Sequence, residues 1–262
     1  MTAKIGTSCS CQLPTANWCR YHRRVRPLLF TLLLAPTLLA QLSPRPADAI
    51  VPVVGSTRGQ ANANFKTELQ MTNASDVVMS GWLFLRPQGA TQRYELQPHT
   101  TVSFADIVAE MGASGLGSLD ILVERGRIPG IVARAYDDQP TGTTGATIPV
   151  VAADAVLARN DFAALIAPRD VTRYRFNAGV RALDNGATLE LIIRAADGTE
   201  RHRRTVTFPA HHFEQQSANV FTGIALQPDD SIEVVLLAGA AIVYGSTVDN
   251  ATNDSSVQVL MK

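Results

Sequence analysis

Apolar and polar residues alternate with period two in short runs along much of the chain, and Gly, Pro, Asn and Asp separate the runs. Period two puts successive side chains on opposite faces of a half-buried strand, and the punctuating residues are those that turns require. Phe65-Lys66-Thr67-Glu68-Leu69-Gln70-Met71 is one such run. The pattern predicts strands near 64–72, 77–86, 91–97, 118–124, 129–136 and 146–152, then near 162–166, 173–182, 187–195, 200–208, 231–237, 241–248 and 256–260. Ile232-Glu233-Val234-Val235-Leu236-Leu237 loses the alternation and is expected to be buried on both faces. One segment has helical spacing: Phe104, Ile107, Val108 and Met111 fall at i, i+3, i+4 and i+7. Ser103 is its expected N-cap, with Asp106 three residues on, and Gly112 its left-handed end. A weaker version, with Phe213, Val220 and Phe221 on one face, spans His211 to Phe221.

The runs come in two sets. Phe65–Met71 matches Tyr174–Val180, and Gly81-Trp82-Leu83-Phe84-Leu85-Arg86 matches Leu189-Glu190-Leu191-Ile192-Ile193-Arg194. Ser118–Leu122 matches Ser231–Val235, and Gly130-Ile131-Val132-Ala133 matches Ala241-Ile242-Val243-Tyr244. The offsets lie between 108 and 113 residues, the length of a sandwich domain and not of a solenoid repeat. The expected fold is therefore all-β: two tandem immunoglobulin-like antiparallel sandwiches over 50–155 and 156–262, each with a short connecting helix. The linker Ala152-Ala153-Asp154-Ala155-Val156-Leu157 is too apolar for a solvated spacer, so the halves are expected to share an interface or a strand.

Charge and cysteine separate a leader from this body. Net charge is zero over 262 residues, but residues 1–49 hold six basic residues and one acid, and the remainder holds 17 basic and 22 acidic. A basic stretch, Arg20 to Arg26, precedes a 14-residue apolar run from Pro27 to Ala40, and Ala47-Asp48-Ala49 has the small-x-small pattern of a processing site. The run is short for a membrane span. Residues 1–49 are thus expected to be a signal peptide cut after Ala49, which predicts export to the periplasm, cell surface or exterior. Cys9, Cys11 and Cys19 all lie in this leader, so the body is no disulfide scaffold. Its mildly acidic balance argues against bulk nucleic-acid binding, and no membrane span is expected in it.

Candidate chemistry is sparse. The chain has no nucleophile elbow, zinc-protease, phosphate-loop or dinucleotide motif, and no cofactor is expected. Asp249, Asn250, Asn253 and Asp254 place hard oxygen ligands close together on one loop, a weak candidate calcium site; the same residue types are preferred in turns. His211-His212-Phe213-Glu214 resembles metal ligands in composition, but adjacent side chains on a helix diverge. Arg201-His202-Arg203-Arg204 is expected to guard a sheet edge. Asn73-Ala74-Ser75 and Asn250-Ala251-Thr252 fit the glycosylation sequon. Trp82 is expected in the core, whereas Tyr94, Tyr136 and Tyr244 are candidate exposed rings.

Tyr174-Arg175-Phe176-Asn177-Ala178-Gly179-Val180-Arg181, Phe213-Glu214-Gln215-Gln216 and Ala241 to Asn250 together resemble a group of bacterial exported proteins of unknown function with paired β-sandwich repeats. The resemblance implies export and a β fold, and no substrate, cofactor or catalytic residue. The expected function is a non-enzymatic adhesion, binding or envelope-structural module, with a protein or envelope component as partner. The alternatives are a hydrolase with a site between the repeats, drawing on Asp106, Glu110, Asp137, Asp249 and His212, and a calcium-stabilised surface module.

Overall fold

The computed structural model describes residues 46–262; the leader's basic stretch, its apolar run and the three cysteines lie outside them. The period-two runs form antiparallel strands throughout. The first half contains β1 (Ala49–Arg58), β2 (Asn64–Thr72), β3 (Met79–Arg86), β4 (Thr91–Leu96), β5 (Thr101–Phe104), helix α1 (Ile107–Glu110), β6 (Gly115–Arg125), β7 (Gly130–Gln139), β8 (Gly142–Ile148) and β9 (Val151–Ala152). The second contains β10 (Leu157–Ala158), β11 (Phe162–Ile166), β12 (Tyr174–Arg194), β13 (Glu200–Phe208), β14 (Phe213–Ser217), α2 (Ala218–Thr222), β15 (Ser231–Asp249) and β16 (Ser255–Leu260).

In the first half one layer runs β4-β3-β6-β1-β9 and the other β5-β2-β7-β8, joined where the end of β1 crosses to β2. Their apolar faces enclose a core that includes Leu69, Met71, Leu83, Leu85, Leu119 and Ile121. The second half makes its two layers from strands that bend. The first stretch of β12 pairs with β14 and the last stretch of β15; the second stretch of β12 pairs with β13 and the first stretch of β15. Gly186 and Gly239 make the bend, both at positive φ. A Cβ on Gly239 would sit 2.0 Å from the Gly186 carbonyl oxygen, so this crossing admits no side chain. Phe176, Ala178, Val180, Leu189, Leu191 and Val234 fill the core between these layers. The architecture is an antiparallel all-β sandwich, and residues 46–262 belong to one compact unit. No helix among the described residues is long and apolar enough to cross a membrane.

Several expectations change in detail. The predicted helix from Phe104 shrinks to one turn, because Ser103 and Phe104 pair with Gln70 and Leu69 as part of β5. Asp106, not Ser103, caps it, its carboxylate accepting from the Ala109 N–H at 3.3 Å. His211 and His212 lie ahead of a strand, and α2 begins only at Ala218. Trp82 points outward and donates to Glu124 Oε1 at 2.8 Å, while Tyr94 and Tyr244 are buried. Asn73 is buried as well, its amide donating to Val77, Leu96 and Gln97 carbonyls, so this sequon is part of a turn. Asp48 and Ala49 belong to the sheet: the Asp48 N–H and C=O bond Ile121 and Ala153, and Ala49 pairs with Ile121 and Ala152.

Candidate binding cleft at the seam

Alternation along β12 turns Phe176, Ala178 and Val180 into the second half's core. It therefore turns Arg175, Asn177, Gly179 and Arg181 outward, beside Val248, Ser246, Tyr244 and Ile242 of β15. This outer face packs on the first half. Tyr244 is fully buried and joins the first half's core. Its hydroxyl donates to Gln215 Oε1 at 3.0 Å, and burial pushes its pKa well above the ordinary tyrosine value. Gly179 makes room for it, since a Cβ there would lie 2.3 Å from Tyr244 Cζ. Ile50, Val151, Val156 and Ile242 form a second apolar contact across the seam.

The seam also holds charge. Arg181, 1% exposed, donates through Nη2 to Asp120 Oδ2 at 2.6 Å and through Nη1 to the Ala182 carbonyl. Arg86 Nε reaches the same Asp120 oxygen at 3.1 Å. Ser118 Oγ, Asp120 Oδ1 and Arg181 Nε are buried without a hydrogen-bond partner among the described residues, so the network is dense in charge and incompletely satisfied. Nearby His211 is held below the ordinary histidine pKa by desolvation and by the Arg86 charge.

Beside these contacts the two halves leave a cleft of about 320 Å³, within the size range of small-ligand pockets. Val53, Val54, Phe65, Leu116, Ile148, Val248 and Val257 give it apolar walls. Thr67, Asn177, Gln215 and Ser246 add neutral polar groups, and Arg58, Lys66 and Arg175 add cations. No carboxylate is among its lining residues. Lys66 is neutralised by Asp138 at 2.7 Å. Arg175 is not: Nη2 donates to Asn253 Oδ1 at 2.9 Å and Nη1 to Asn250 Oδ1 at 3.3 Å, both amide oxygens. Desolvation lowers its pKa, with the more distant Asp137 and Asp249 opposing. Arg58 has no ion-pair partner among the described residues.

The candidate calcium residues serve Arg175 and a turn. Asp249 Oδ1 accepts from the Ala251 and Thr252 N–H groups and Oδ2 from Arg173 at 2.9 Å. The Ala251 N–H and the Arg173 guanidinium hold its carboxyl below the usual range. Asn253 Nδ2 donates to Asp137 Oδ2 at 3.2 Å, and Asp254 Oδ1 accepts from Ser255 N–H. These oxygens thus accept from guanidinium and backbone N–H donors within the turn. Among the described residues no three His, Cys, Asp or Glu side chains gather in one cluster.

The five candidate catalytic groups do not meet in the cleft. Asp106 accepts from Ser56 Oγ at 2.7 Å, and Glu110 reaches back to the Asp106 N–H. Asp137 accepts from the Asn64 N–H and Gln139. His212 stacks on Phe208 and lies 3.3 Å from Glu214. None of these four, nor Asp249, lines it. Arg203 of the basic run is paired with Glu190 and Glu200, and Arg201 with Asp230, on a strand at the end of its sheet. Sequence pattern missed Arg58, Arg175 and Gln215 as cleft residues; only the outward parity of Arg175 on its strand hinted at a role.

No family model matches the chain, and no curated protein matches it. Among solved structures, a β-glucuronidase 2 of Bacteroides uniformis, covalently bound to cyclophellitol-6-carboxylate aziridine, is similar at TM-score 0.18 and 13% identity. That match covers 84% of this chain and 27% of the other, so the chain spans about a quarter of that protein's length. A likeness this distant carries no argument about fold or activity.

Proposed function

We propose that the protein is an exported, non-enzymatic binding module, and that its ligand is an anion with an apolar body held in the seam cleft. The basic leader followed by an apolar run supports export. The observation that carries the binding reading is the cleft's composition: apolar walls, an arginine bonded only to neutral amides, and no carboxylate in the lining. Such a site attracts a carboxylate or phosphate to Arg175 and desolvates the rest of the molecule against Val53, Phe65 and Val257. The distribution of Asp106, Glu110, Asp137, Asp249 and His212 over separate turns and caps favours this over hydrolysis. β2 pairs with β7 and β3 with β6 much as the two stretches of β12 pair with those of β15, which supports an origin by duplication, with the cleft made where the copies meet.

Isothermal titration with octanoate and with 1-octanol tests the reading. Octanoate is expected to bind and octanol to bind more weakly. Arg175→Gln removes a charged donor worth about 1.5–3 kcal/mol, so octanoate affinity should fall at least about tenfold. Equal binding of acid and alcohol, or an unchanged affinity in the variant, would count against an anion site at Arg175.

A further inference from the structure

Edge strands present unpaired N–H and C=O groups, and folds guard them with charge, proline or cover. β13 is guarded by Arg201, His202, Arg203 and Arg204. β11 is not. It carries no charged residue from Phe162 to Ile166, and Phe162 and Ile166 are 60% and 57% exposed.

The first half shows how an edge in this position is covered. β1 lies on β6 with Ile50 opposite Asp120, as β11 lies on β15 with Ala164 opposite Glu233. The ion pairs Arg86–Asp120 at 3.1 Å and Arg194–Glu233 at 2.9 Å mark the two places. The other edge of β1 takes a further antiparallel strand, Ala49 and Ile50 pairing with Ala152 and Val151 of β9. The other edge of β11 takes no strand among the described residues.

The backbone of β11 states which groups are open. Asp161 C=O accepts from Leu236 N–H, and Ala167 N–H donates to Asp230 C=O. Odd-numbered residues therefore face β15, and Phe162, Ala164 and Ile166 turn their backbone groups away from it. The Gln258 amide clasps both groups of Ile166, at 3.0 and 2.9 Å. Phe162 and Ala164 keep open edges.

We propose that β11 pairs antiparallel with β11 of a second copy about a two-fold axis at Ala163, an interaction separate from ligand binding in the seam cleft. This register sets Phe162 opposite Ala164 of the other copy, twice. It joins only the open groups, in four backbone hydrogen bonds, and leaves the Gln258 clasp in place. Each Phe162 ring then covers the small Ala164 side chain across the pair, a large-on-small cross-strand match. The contact is isologous and closes at two copies.

Sedimentation equilibrium of the intact protein tests this at about 100 µM, where a small edge-to-edge interface is populated. The parent should contain dimer. Ala164→Pro removes an outward N–H, which an edge strand tolerates, and should weaken the dimer at least about tenfold while thermal unfolding shows an intact fold. Should that variant fail to fold, Phe162→Lys makes the same test by placing a charge in the pair. A parent that is monomeric at this concentration overturns the proposal, as does a dimer that survives in a folded variant. A monomer that instead binds a free extended peptide at β11 would assign the edge to a foreign strand and overturn the self-pairing.

Discussion

Asp120→Ala is expected to destabilise the protein by about 3–5 kcal/mol, the cost of stranding a buried charge whose partner is removed. The carboxylate is the shared acceptor of Arg181 and Arg86. Without it, two guanidinium groups converge across the seam, and Arg181, almost wholly buried, keeps only the Ala182 carbonyl. A loss of this size is a large fraction of the stability of an ordinary domain. Arg181→Met should cost less, because Asp120 keeps Arg86 and the methionine fills the space. The double variant should then be more stable than Asp120→Ala alone, since it no longer strands Arg181. Urea unfolding of the three variants checks the order. An Asp120→Ala loss below about 1 kcal/mol, the range of an exposed pair, would mean that the network is not sealed from water.

The second large effect is expected at Gly179. A methyl group there would stand 2.3 Å from Tyr244 Cζ and 2.4 Å from its hydroxyl oxygen. The ring cannot swing away, because it is wholly buried in the first half's core and bonded to Gln215. Gly179 also sits between β14 and β15, paired to Gln215 and Tyr244, so its backbone cannot yield either. Gly179→Ala should cost about 3 kcal/mol, the upper end of overpacking penalties. Tyr244→Leu added to it should recover part of the loss by removing the obstructed ring carbons. Equal stability of Gly179→Ala and the parent would show that the two strands separate more easily than their ladder implies.

Period-two alternation made several strands legible, including β2 and β4, because each has one face on a core and one on water. It failed where a strand meets something other than water. β1 contains Pro52 and a register shift between Val51 and Val54, and its first residue also satisfies the processing pattern at Ala47–Ala49. β5 and β14 are short, and their apolar residues continue into the following helical turns, so one helical stripe was read across a strand and a helix. The four runs 173–182, 187–195, 231–237 and 241–248 are two continuous bent strands, which a linear pattern cannot distinguish from four. One match between the halves shifts as well. Leu69 and Ala178 both face cores, and their ladders set Ala133 and Gly245 opposite them. Ala133 therefore belongs with Gly245 and not Tyr244, a one-residue slip that changes which face a side chain takes.

The seam was legible only in outline. The apolar linker announced contact between the halves, and β9 and β10 do tie it to β1 and β15. Tyr244 is aromatic, and sequence alone offered no reason to bury it in the other half's core. Arg181 and Asp120 look like solvated charges, because their burial depends on residues 61 positions apart meeting. The cleft residues share this property: Arg175 and Phe65 become neighbours only once the halves dock. Asp249 to Asp254, by contrast, was legible as a turn from its residue types.

The two halves act as one body through Tyr244, Asp120 and Arg181, and the cleft is a product of that union. Differential scanning calorimetry of the intact protein tests it most directly. The predicted result is one transition whose calorimetric and van't Hoff enthalpies agree. Two separable transitions, each with the enthalpy of a single half, would contradict it.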